Sequence, residues 1–86
     1  MKFVVRYSTV PERAADLPTV YPVHKAYLDA FEPAADIVGI GPFEDPLTHG
    51  SMAIFATLDA AQRFVAGDPF VTRGLVQPSE PLAWDA

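Results

Sequence analysis

The chain has 86 residues, half of them hydrophobic, and a formal charge of −5 from eleven acidic against six basic side chains. Such a balance, with no basic run, argues against a nucleic-acid or anionic-membrane partner, and no apolar run is long enough for a signal or membrane segment. Cysteine is absent, which removes disulfides, thiolate metal sites and cysteine nucleophiles.

A chain this short buries only about 60–65% of its extended surface. The apolar content therefore predicts one domain, residues 1–86, with part of its apolar area in a homodimer interface. A soluble cytoplasmic protein is the default expectation.

Lys2 to Ser8 alternates, with Phe3, Val5 and Tyr7 on one face, and reads as a strand. Thr9 to Pro18 carries two prolines and reads as a loop. A helix is expected from about Val20 to Phe31, with Val20, His24, Tyr27, Leu28 and Phe31 on its inward stripe. Pro22 suits its first turn, where a missing N–H costs nothing, and Pro33 ends it.

Ile37 to Phe43 reads as a second strand, in which Gly39 and Gly41 share a face and leave room for close approach. Glu44 to Gly50 is a polar turn. A third strand is expected over Ser51 to Leu58, with Ser51, Ala53 and Phe55 opposite Met52, Ile54 and Ala56.

Asp59 then offers an N-cap, and Gln62 three residues later completes a capping-box pattern. Ala60, Ala61, Phe64 and Val65 give the stripe of a second helix, which Gly67 can close in the left-handed conformation. Asp68-Pro69 restarts the chain, because a residue before proline is pushed out of the helical region and proline suits the first helical position. A short helical turn follows, and Ser79 to Trp84 reads as a last strand, where Pro81 suggests an edge or an interface position. The order β-α-β-β-α-β predicts an α+β, ferredoxin-like split βαβ fold, with an antiparallel sheet and helices on one face.

His24 is the sharpest chemical candidate, placed on an apolar stripe near a helix N-terminus. Burial and the helix dipole there favour the neutral imidazole that accepts a proton. The alternative is a core histidine satisfied by a backbone carbonyl. Asp68 is fixed at a corner, yet an N-cap aspartate needs no catalytic role. Ser51 is equally readable as a small residue at a strand start. His49 reads as solvated, and two histidines without ligand spacing predict no metal site. Tyr7, Tyr27, Phe55, Phe70 and Trp84 could line an aromatic pocket or simply fill core and interface. No nucleophile elbow accompanies the Ser, His and Asp side chains, so an acyl-transfer triad is not expected.

The stretch G-D-P-F at 67–70 followed by R-G-L at 73–75, together with Y-P-V-H-K-A-Y-L at 21–28, G-I-G-P-F at 39–43 and G-S-M-A-I-F at 50–55, resembles the YciI-like (YCII-related) family. The resemblance implies a ferredoxin-like homodimer of the dimeric α/β-barrel type. It also implies a His–Asp dyad formed by His24 and Asp68, with Ser51 and Phe70 contacting substrate. The expected activity is cofactor-independent acid–base chemistry, isomerisation or elimination, on a small carbonyl or phenolic metabolite; a non-catalytic ligand-binding or regulatory dimer is the alternative. A cofactorless monooxygenase of related fold is disfavoured, since such sites typically use asparagine and this chain has none. Many relatives carry arginine where this chain has Tyr21; if that arginine holds an anionic substrate group, this chain either binds a different ligand or supplies a cation from elsewhere, such as Arg6 or Arg73.

Overall fold

The computed structural model describes residues 1–86. Its elements run β1 (Lys2–Thr9), α1 (Leu17–Ala30), β2 (Ile37–Pro42), α2 (Pro46–His49), β3 (Ser51–Phe55), α3 (Leu58–Gly67), α4 (Pro69–Thr72), β4 (Val76–Pro78) and β5 (Leu82–Trp84), with short 3₁₀ segments at Pro11–Asp16 and Ala34–Asp36. The antiparallel strands take the order β2-β3-β1-β4, and β5 also pairs with β1. This is the ferredoxin-like arrangement that the element order implies.

Period-two alternation divides the sheet. Val5, Tyr7, Ala53 and Phe55 face inward and are buried, packed with Val20, Phe31, Ala60, Ala61 and Phe64 from the helices. The opposite face carries Val4 beside Ile54 and Leu82, Arg6 beside Met52, and Lys2 beside Trp84. Gly39 and Gly41 lie on this same helix-free face, opposite Ile54 and Met52, and a Cβ at either would meet nothing within 4 Å. The close approach their smallness permits is therefore not used within the chain.

Several elements differ from the sequence expectation. The Pro11–Asp16 turn runs directly into α1, so Pro18 rather than Pro22 takes the first-turn place and Pro22 lies inside the helix. Residue 22 then has no N–H for the Pro18 carbonyl. The third strand ends at Phe55, and α3 is capped by Thr57, whose side chain accepts the Ala60 N–H at 3.0 Å. Asp59 instead sits in the first turn and pairs with Arg63 at 2.8 Å. Gly67 is not left-handed; the positive-φ glycines are Gly50 and Gly74. Proline at 69 already forces Asp68 to extended backbone, which stops α3 without help from glycine.

The polar turn before β3 contains the single helical turn α2 and ends at Gly50, φ 73°. A Cβ there would fall 1.9 Å from the Tyr7 carbonyl oxygen, so only glycine lets β3 begin alongside β1. The last strand is two pieces in one line along β1, their registers differing by one residue. Ser79 fills the break: its N–H donates to the Arg6 carbonyl and its Oγ accepts the Arg6 N–H. An extra residue accommodated this way is a bulge.

Candidate functional site

Asp68 is shared between two helices. Its backbone, at φ −62° and ψ 121°, closes α3 and opens α4, and its Oδ1 accepts the Phe70 N–H at 3.0 Å. The same Oδ1 lies 2.8 Å from Nδ1 of His24, 44 residues earlier. One oxygen thus serves both the cap and the imidazole.

Both partners are withdrawn from water, His24 at 8% exposure and Asp68 at 2%. Phe70 stacks on the imidazole at 4.2 Å between centroids and 11° between planes, and Phe64 meets it edge-on at 6.5 Å. Aromatic packing thus holds the ring plane while the carboxylate fixes its rotation. An Oδ1 that already accepts an amide N–H acts as acceptor again toward Nδ1, which therefore carries a proton; in the neutral imidazole the lone pair is then on Nε2. Within the chain Nε2 has no hydrogen-bond partner.

His24 and Asp68 border a cavity of about 360 Å³, large enough for a single substituted ring. Its wall includes Leu17, Tyr21 and Leu28 of α1, Ile40 of β2, Ser51 of β3 and Tyr7 of β1. Tyr7 stands directly opposite Ser51 in the β1–β3 register, so both side chains rise from the inner face. The Tyr7 hydroxyl is buried without a partner. Burial, followed by the Asp68 carboxylate and then Tyr27, pushes this phenol well above the ordinary tyrosine range.

The other sequence candidates separate by position. Phe70 and Ser51 reach the cavity, as do Tyr7 and the half-exposed Tyr21. Phe55 is fully buried core, Tyr27 donates its hydroxyl to the Phe64 carbonyl at 2.9 Å, and Trp84 is exposed on β5. His49 sits on α2, and no three His, Asp or Glu side chains gather as a metal-binding group. Arg6 lies 5.0 Å over the Phe43 ring on the opposite sheet face, and neither Arg6 nor Arg73 borders the cavity. Neither arginine therefore supplies the cation that was considered for an anionic ligand. The part sequence reasoning missed is the Tyr7 hydroxyl. Alternation placed Tyr7 inward, but its pairing with Ser51 depends on a turn geometry that a single sequence does not reveal.

No family model matches the chain, and no curated protein matches it by sequence. Among solved structures, it is similar to 5-chloro-2-hydroxyhydroquinone dehydrochlorinase (TftG) from Burkholderia phenoliruptrix AC1100, in complex with 2,5-dihydroxybenzoquinone. The TM-score is 0.75 at 26% identity, over 99% of this chain and 94% of that one. The two chains thus share their fold over essentially their whole lengths. No helix of the present chain is long and apolar enough to cross a membrane.

Proposed function

We propose that the chain is a single YciI-like domain and a cofactor-independent enzyme, performing acid–base chemistry on a small hydroxylated or quinonoid ring. The observation that carries this reading is the buried His24 Nδ1–Asp68 Oδ1 contact of 2.8 Å beside a ring-sized cavity. The similarity to a dehydrochlorinase that acts on a chlorinated hydroxyhydroquinone supports the substrate class.

In this reading His24 Nε2 takes a proton from a ring hydroxyl, and Asp68 stabilises the imidazolium that forms. Return of that proton to a ring carbon is an isomerisation. When that carbon bears an anionic leaving group X, loss of the proton of a second ring hydroxyl with departure of X is an elimination. The O–H bonding pair becomes part of a new C=O, a ring π pair shifts to the carbon that carried X, and X departs with its own pair, so H–X is lost and no oxidant enters the balance. Ser51 contacts substrate from the sheet side, and Phe70 positions both the imidazole and the bound ring.

The test is chloride release from 5-chloro-2-hydroxyhydroquinone, alongside deuterium exchange into hydroquinone ring positions in D₂O. His24→Ala should abolish both while the protein stays folded. Wild-type protein that binds hydroquinone yet catalyses neither reaction is a binding protein, and this reading then fails.

We propose further that the protein is a homodimer closed through the helix-free sheet face. Val4, Met52 and Ile54 there are only part-buried, Leu82 and Trp84 are exposed, and the two strand glycines leave the surface flat. An apolar sheet face without a helix to cover it is what a second sheet packs against.

A further inference from the structure

Resting on the reading of this cavity as a site for a small oxygenated ring, we propose that it selects uncharged ligands, taking a phenol or enol in its protonated form and rejecting a ring that carries a carboxylate. The inference comes from the charges around the cavity. No lysine or arginine borders it, and Asp68 is its one formally anionic side chain. When His24 is neutral, the pair contributes a full negative charge. When His24 is protonated, its charge is matched at 2.8 Å by Asp68 and the pair is neutral overall. Neither state presents a net positive charge.

Backbone dipoles do not fill the gap. The Phe70 amide at the start of α4 is spent on Asp68 Oδ1. At the other wall, Pro18 has no N–H and the Leu17 amide donates to the Ala14 carbonyl. Toward the sheet the polar side chains are the Ser51, Tyr7 and Thr9 hydroxyls, all neutral, and Thr9 donates its own to the Pro46 carbonyl. An anion would therefore give up its hydration for a largely apolar wall and a repelling carboxylate.

Tyr7 supports the same conclusion from within the protein. It is itself a phenol beside Asp68, and both burial and that carboxylate favour its protonated form. A phenolic ligand in the same space meets the same two influences. His24 would then receive the hydroxyl proton during the reaction rather than meet a preformed phenolate.

Two rings of nearly equal shape isolate the charge: 2,5-dihydroxybenzamide and 2,5-dihydroxybenzoate. Titrated calorimetrically into the wild-type protein at neutral pH, the amide should bind roughly tenfold or more tighter than the carboxylate. Tyr21, 51% exposed at the rim with its ring 6.1 Å from His24, is the place to add a cation. Tyr21→Arg should narrow the amide-to-carboxylate ratio by recovering carboxylate affinity, and Tyr21→Lys should do so in the same direction. Wild-type protein that binds the carboxylate as tightly as the amide overturns selection by charge while leaving the ring-binding reading intact. Failure of both rings and of hydroquinone to bind overturns the ring-binding reading, and the charge selection with it.

Discussion

Gly67 lies directly beneath the ring of Tyr27, so close that a Cβ on residue 67 would fall 2.6 Å from the tyrosine hydroxyl and 2.9 Å from the ring edge. This contact, not a left-handed turn, is the use of the glycine. It lets α1 and the end of α3 approach, and the hydroxyl reaches the Phe64 carbonyl. Gly67→Ala should lower stability by about 1–3 kcal/mol through overpacking. In a Tyr27→Ala background the same change should be neutral or stabilising, because alanine is the better helix former. A double-mutant cycle by urea denaturation checks this; equal costs in both backgrounds would refute it.

The cap of α3 makes a second expectation. Thr57→Ala should cost about 1 kcal/mol, since it leaves the Ala60 amide without its acceptor. Asp59→Ala should cost less, because its pairing with Arg63 is exposed. Chemical denaturation of the two variants gives the order directly, and a larger loss at Asp59 would return the cap to that residue.

These two cases show what the sequence carries. Strand alternation at Phe3, Val5 and Tyr7, the α1 stripe through His24 and the corner at Asp68-Pro69 are local patterns, and each is legible from neighbouring residues. Asp59 matched a capping pattern as well as Thr57 does, and the choice fell to where β3 stops pairing with β1. The bulge at Ser79 and the Tyr7–Ser51 pair are likewise properties of strands brought together across the chain. The His24–Asp68 contact depends on helix packing that local pattern does not encode, and the family resemblance supplied that expectation.

Asp68→Asn should separate the two duties of its Oδ1. Asparagine caps helices as well as aspartate does, so stability should fall by no more than about 1 kcal/mol. Turnover of whichever hydroxylated ring the wild type accepts should fall roughly a hundredfold or more, as loss of a positioned acid–base group does. Equal turnover in Asp68→Asn and wild type would leave Asp68 with the capping duty alone.

The buried Tyr7 phenol makes stability fall at alkaline pH. Below about pH 10 it is protonated both in the folded and in the unfolded chain, and its contribution is constant. Above that, the unfolded chain ionises while the folded chain keeps the proton, so stability declines with a slope of up to about 1.4 kcal/mol per pH unit. Tyr27 is raised in the same direction, mainly by burial. Tyr7→Phe should flatten the decline, and at neutral pH it should be no less stable than wild type, because the hydroxyl it removes has no partner. Urea denaturation between pH 8 and about pH 11 measures both; a stability loss in Tyr7→Phe at neutral pH would mean the hydroxyl is engaged.

The dimer is checked by light scattering at micromolar concentration, where the particle should have twice the 9.3 kDa mass of the chain. Ile54→Lys, at the centre of the helix-free face, should convert it to monomer. Persistence of the dimer in that variant would place the interface elsewhere.

The atom Oδ1 of Asp68 has a consequence for how the site would fail. It holds the first turn of α4 through the Phe70 amide and holds the imidazole through Nδ1. Fraying of residues 69–72 therefore releases the ring as well, and Phe70, which stacks on it, leaves with the same segment. A four-residue helix is among the first parts of a protein to open. Mild denaturant should silence the histidine well before the sheet melts, with the Phe70 amide proton and the Nδ1 proton exchanging with solvent in one shared opening event.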